Sequence, residues 1–258
     1  MKAIPYANNQ KVRIHYKVES KGPSLVLLYG SSGSLEQWYD LGYVNLLKND
    51  YQLILLDIRG NGASDKPHAP EAYKLSLLVG DIVAVLDDLN VSMVYFLGYS
   101  MGGRIGFGVA KYAPKRFYSF IVGGAHPYQF DPNEHQALLQ LFKQEMEAVI
   151  AALEKMSGRK MPSERKERLT GNASEALAAF WSTSHWPDLE DVLPTMTMPY
   201  LVFVGEADPL YLGVKECVKK MPKVTFISFP DLAHFDVLPQ RHMIFPYITK
   251  FLAKVSQT

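Results

Sequence analysis

The stretch "FLGYSMGGRIGFG", Phe96 to Gly108, sets five glycines and a single serine, Ser100, in thirteen positions. Glycine in a helix or strand interior costs roughly 1 kcal/mol against alanine, so these glycines answer a geometric demand. The apolar run MVYFLG (93–98) reads as a buried strand, and a helical pattern starts near Met101. Gly98-Tyr99-Ser100-Met101-Gly102 is therefore G-x-S-x-G at a strand-to-helix turn, the nucleophile elbow. The turn is sharp enough to strain the serine backbone, and side chains two residues before and after it would collide. Gly103, Gly106 and Gly108 then let the following helix lie close against the sheet.

The same alternation extends outward along the chain. Short apolar runs at 24–29, 51–57, 117–124, 200–205 and 224–229 are bounded by Gly, Pro, Asp or Ser, as buried parallel strands are. Helical patterns lie between or after them at 35–48, 72–90, 101–113, 212–221 and 245–255. VRIHYKV (12–18) alternates and predicts an antiparallel strand at the start of the sheet. This is an α/β chain with helices on both faces of a mostly parallel sheet. From 126 to 196 no strand pattern occurs. Helical stretches at 133–156 and 173–181, separated by a charged hinge at 158–169, predict a helical cap (126–196) inserted in a core of 1–125 and 197–258.

Composition narrows the partners. The 258 residues carry 27 basic and 26 acidic side chains, a net charge of +1, which gives no reason to expect nucleic acid or an anionic membrane. Cys217 is the only cysteine, so no intramolecular disulfide or cysteine metal cluster is available. No apolar run of about 18 residues occurs. The expectation is a cytoplasmic, cofactor-free and metal-free protein acting on a small molecule, as monomer or homodimer.

A serine hydroxyl needs a base, and the base an orienting acid, in the chain order Ser, Asp or Glu, His. The strand 200–205 leads into Glu206-Ala207-Asp208, and the strand 224–229 into Asp231-Leu232-Ala233-His234. Asp208 lies deeper in its loop than Glu206 and is the preferred acid, with Glu206 and Asp231 as rivals. Of the seven histidines, His234 lies in the loop just after the last strand; His15 falls in an early strand, His68 in a Pro-rich loop, His126, His135 and His185 in the cap, and His242 in or before the final helix. Oxyanion donors are expected from the backbone N–H of Met101 and of Ser31, in the loop Tyr29-Gly30-Ser31-Ser32-Gly33. Tyr29, Tyr99, Arg104, Tyr128, Trp181 and Trp186 are candidate substrate-lining residues. Phe130 and Phe180 join Tyr128 and the two tryptophans as cap aromatics that either line a pocket or pack the cap.

Taken together these residues resemble the α/β-hydrolase superfamily over nearly the whole chain. Asp57-Ile58-Arg59-Gly60-Asn61-Gly62-Ala63-Ser64-Asp65 is similar to its D-x-R-G-x-G-x-S turn, Gly98–Gly103 to its G-x-S-M-G-G elbow, and Gly205–Asp208 to its acid loop. The resemblance implies an α/β-hydrolase fold: an eight-stranded, mostly parallel sheet, a cap after the sixth strand, and Ser100, Asp208 and His234 as triad. Tyr29 departs from the His-Gly usual in the oxyanion loop. Serine at the elbow argues against haloalkane dehalogenases and epoxide hydrolases, which use Asp there.

Hydrolysis of a carboxylic ester or lactone through an acyl-enzyme is the leading expectation. Gly98–Arg104 also resembles the elbow of menaquinone-pathway cyclohexadiene-carboxylate synthases, pyruvate-eliminating lyases in which an arginine at the place of Arg104 helps bind an anionic substrate. C–C bond hydrolysis shares the triad, and some superfamily members keep it as non-catalytic sensors.

Overall fold

The computed structural model describes residues 5–171, 174–183 and 186–256; His185 lies outside them. In chain order the elements are β1 (Tyr6–Asn9), β2 (Val12–Glu19), β3 (Ser24–Leu28), α1 (Glu36–Asp40), α2 (Tyr43–Leu47), β4 (Gln52–Leu56), α3 (Leu75–Asp88), β5 (Val94–Tyr99), α4 (Met101–Tyr112) and β6 (Phe117–Gly123). There follow α5 (Pro132–Phe142), α6 (Met146–Ser157), α7 (Ser163–Thr170), α8 (Ser174–Thr183), β7 (Tyr200–Gly205), α9 (Tyr211–Val218), β8 (Val224–Phe229) and α10 (Arg241–Val255).

One sheet runs β1-β2-β4-β3-β5-β6-β7-β8. β2 is antiparallel to both β1 and β4, and the remaining pairs are parallel. Period-two alternation divides the strand side chains between two cores. Val26, Leu28, Ile54 and Phe96 pack on one face with Leu78 and Ile105 of α3 and α4, while Leu25, Leu27, Leu53 and Leu97 pack on the other with Trp38, Tyr43 and Ile248. Burial on both faces explains why these strands read as continuous apolar runs; each large side chain so buried contributes roughly 1.5–3 kcal/mol.

The chain order reverses between β3 and β5, and in such sheets reactive groups gather beyond the strands' carboxyl ends at that point. Two devices fix the loops on that rim. The Asp57 carboxylate accepts from the Leu35 and Ala63 N–H groups at 2.7 and 3.0 Å and meets His15 Nδ1 at 2.7 Å, so the D-x-R-G turn anchors the far end of the loop after β3. Arg59, 1% exposed, donates to both oxygens of Asp81 at 2.5 and 2.7 Å, and Asn9 adds a bond to the same carboxylate. Breaking such a buried pair from one side costs about 3–5 kcal/mol.

Several elements differ from the sequence expectation, each for a local reason. β1 is too short and polar (YANN) to stand out, and it forms because Asn9 finds partners on α3. The pattern 35–48 is two helices, since Gly42 turns left-handed at φ +78° between them. The pattern 133–156 divides into α5 and α6, and the charged hinge holds α7. Glu154 explains α7: its carboxylate takes Lys160 and Lys166 and the Met161 N–H, bracketing the segment. Gly103 and Gly106 press α4 against β6 and Phe96 of β5, but Gly108 makes room for Leu75 of α3 rather than for the sheet.

Candidate active site

Ser100 caps α4 with φ 56° and ψ −120°, a conformation that non-glycine residues hold only when their surroundings impose it. Here its N–H is held by Gly123 O of β6 at 2.8 Å. The flanking glycines are needed sterically: a Cβ at Gly98 would lie 2.6 Å from Gly102 O, and one at Gly102 would lie 2.2 Å from Leu28 O.

His234 Nε2 lies 2.9 Å from Ser100 Oγ, and its Nδ1 lies 2.7 Å from Asp208 Oδ2. An ionised carboxylate only accepts, so the Nδ1 facing it carries the proton and Nε2 is free to accept from the serine. Asp208 is 3% exposed and its Oδ1 accepts from the Leu210 N–H at 2.9 Å. The rivals are occupied elsewhere: Glu206 is exposed and accepts from Ser228 Oγ, and Asp231 is exposed at a left-handed turn. Among the other described histidines, His15 meets Asp57, His135 Nε2 lies 2.7 Å from Trp181 O, and His68 and His242 are exposed.

The loop after β3 comes against the serine, for a Cβ at Gly30 would stand 3.4 Å from Ser100 Oγ. Gly33 N–H donates to Gly30 O at 3.3 Å, closing the loop, and Ser31 Oγ is buried there without a partner. Met101 is the first residue of α4, where an N–H has no acceptor within its own helix. Tyr29 lies across Gly33, edge-on to Trp38 at 5.7 Å, and burial pushes its phenol pKa up. A narrow cleft of about 10 Å³ beside this loop is lined by Ser32, Ser34, Gln37, Leu153, Arg165 and Arg168. Among the described residues no three His, Cys, Asp or Glu side chains converge as metal ligands would, and none of the helices is long and apolar enough to cross a membrane.

The remaining sequence candidates separate. Trp181 stacks on Phe142 at 5.6 Å and 3°, joining α8 to α5, and Trp186 donates from Nε1 to Tyr73 O at 3.1 Å, tying the segment after α8 to the one before α3. Tyr99 is 4% exposed, with its hydroxyl on His234 O. Arg104 is 4% exposed, its guanidinium 4.2 Å from the Phe130 ring and 5.2 Å from Trp186. Nη2 donates to Tyr128 O at 3.1 Å and Nη1 has no partner; no carboxylate pairs with it among the described residues. Burial pulls its pKa down to about 10.

Sequence reasoning passed over His126 as a cap histidine. It lies beside Tyr128, its Nδ1 buried without a partner, and burial followed by the Arg104 charge holds its pKa down to about 4. Its ordinary value is 6.5, so protonation favours unfolding. The neutral imidazole's contribution to stability is complete above pH 6.5 and is lost as the pH falls through 6.5 toward 4. Urea midpoints across that window should fall more steeply for the native protein than for His126→Gln.

The family model for the α/β hydrolase fold matches residues 23–239, and the chain belongs to that family. It is 24% identical over 267 residues to a Bacillus subtilis (strain 168) protein that carries the provisional name 2-succinyl-6-hydroxy-2,4-cyclohexadiene-1-carboxylate synthase, covering 94% of this chain and 96% of that one. It is 26% identical over 212 residues to 3-oxoadipate enol-lactonase 2 of Acinetobacter baylyi (strain ATCC 33305 / BD413 / ADP1), covering 78% of each. The solved enol-lactonase of Burkholderia xenovorans LB400 shares the fold with a TM-score of 0.85 at 20% identity, over 96% of this chain and all (100%) of that one.

Proposed function

We propose that the protein is a serine hydrolase of carboxylic esters or lactones, carboxylesterase-like, with Ser100 as nucleophile, His234 as base and Asp208 as orienting acid. The observation that carries the reading is the unbroken chain from Ser100 Oγ through His234 to Asp208, at 2.9 and 2.7 Å, on a strained strand-to-helix turn. His234 takes the hydroxyl proton as Oγ attacks the carbonyl, and Asp208 stabilises the resulting imidazolium. The N–H groups of Met101 and Ser31 receive the oxyanion, a contribution of about 3–4 kcal/mol per donor. His234 returns its proton to the leaving alcohol, then activates the water that releases the acyl group. Residues 126–196 act as a cap over a core of 1–125 and 197–258.

The buried cation at Arg104 supports a second reading of the same triad. It has no carboxylate partner, and a substrate carboxylate would supply one; this fits a pyruvate-eliminating lyase as well as the hydrolysis of an ester that carries an acid group. A panel of p-nitrophenyl esters of increasing acyl length, run beside a lactone and the cyclohexadiene-carboxylate precursor, separates them. Ester or lactone turnover with covalent labelling by a fluorophosphonate is expected. Inertness toward every ester and lactone, with pyruvate released from the precursor, would establish the lyase. Binding without any turnover would establish a sensor.

A further inference from the structure

His234 lies in the stretch between β8 and α10, which has neither helix nor strand. Catalysis nevertheless needs a base held to a fraction of an ångström. Its imidazole is oriented by Asp208, but orientation of the ring does not fix the backbone that carries it. The turn's own bonds, Ala233 N–H to Asp236 Oδ2 at 3.1 Å and Asp236 N–H to Ala233 O at 2.9 Å, leave the His234 carbonyl untouched. That carbonyl accepts instead from the Tyr99 hydroxyl, at 2.5 Å.

We propose that Tyr99 is a positioning residue for the base: its hydroxyl ties the His234 backbone to the end of β5, the strand end that carries Ser100. Nucleophile and base then share one rigid anchor. The phenol ring is itself clamped, stacked on Phe203 at 6.1 Å and 28° and tilted against the His234 ring at 5.4 Å. Gly123 and Gly124 give it room, since a Cβ at either would stand 2.7 or 3.1 Å from the ring. Burial, and then the Asp208 charge, push its pKa well above the ordinary phenol value, so the hydroxyl remains a donor at every working pH. With the hydroxyl committed to His234, Tyr99 supports the base from behind instead of lining the substrate pocket. The proposal rests on the triad reading.

Tyr99→Phe keeps the ring and removes the tie. Steady-state kinetics on a p-nitrophenyl ester should show kcat lowered about 10- to 100-fold, with KM unchanged within about twofold. In proton NMR of the unliganded protein, the resonance of the His234 Nδ1 proton shared with Asp208 should broaden or vanish, while circular dichroism shows a folded protein. Retention of both the native kcat and the resonance would overturn the proposal, and so would a raised KM with native kcat, which marks a substrate contact. The NMR signature needs no turnover and so reports on Tyr99 separately from the triad reading. That reading fails on its own test, if native protein turns over esters and Ser100→Ala does so equally well.

Discussion

Ser100→Ala is expected to lower kcat toward p-nitrophenyl esters about a millionfold, and Asp208→Asn about ten-thousandfold. In the proposed mechanism the serine loss follows from removing the atom that attacks. The aspartate loss follows from the hydrogen bonds around it. One Asp208 oxygen is committed to the Leu210 N–H and the other to His234 Nδ1. An asparagine keeps its single oxygen on Leu210, which leaves the amide N–H₂ facing Nδ1. A donor there forces Nδ1 to accept and moves the imidazole proton to Nε2, where it points at Ser100. His234 then has no lone pair for the serine proton, although the loop stays folded. Glu206→Gln, which disturbs only an exposed bond to Ser228, should leave kcat unchanged within about twofold. Stopped-assay kinetics on the purified variants check all three. A Glu206 variant as impaired as the Asp208 variant would move the acid to the neighbouring carboxylate.

The parts of this arrangement that were legible in the sequence share a cause. Ser100 follows its apolar run directly, Asp208 and His234 lie in the loops that leave theirs, and a parallel sheet delivers the ends of its strands to one rim. Asp208 was preferred over Glu206 for lying deeper in the loop, and it is Asp208 that meets His234 while Glu206 meets Ser228. What stayed hidden depends on partners remote in sequence. Arg104 is a candidate in the sequence, but its burial is not legible there; it comes from Phe130 and Trp186 closing around it. Tyr99 reads like a pocket residue, and only the packing of the last loop turns its hydroxyl onto His234 O. β1 and α7 were missed for the same reason, since Asn9 and Glu154 act through tertiary bonds and not through local pattern.

The glycines of α4 give the second large effect, and they are not equivalent. Gly102→Ala places a Cβ 2.2 Å from Leu28 O and 2.6 Å from Tyr29 O, both backbone atoms at the end of β3. No rotamer relieves that clash. Either α4 lifts away from β3 or the loop after β3 shifts, at a cost of about 3 kcal/mol or more, against a total stability of roughly 5–15 kcal/mol. The same shift separates Met101 from Gly30 and Ser31, so activity should fall even in the molecules that remain folded. The three atoms nearest a Cβ at Gly108 are Cδ1, Cγ and Cδ2 of Leu75, 2.7 to 3.0 Å away, a side chain that can shift without moving any strand backbone. Alanine also gains about 1 kcal/mol of helix propensity there, which offsets the repacking of Leu75. Urea denaturation of the two variants should therefore show a large drop in midpoint for Gly102→Ala and a clearly smaller one for Gly108→Ala. Equal losses in both would mean that α4 is held by general packing and not by close contact with the end of β3. The elbow glycines would then have no special part in presenting Ser100.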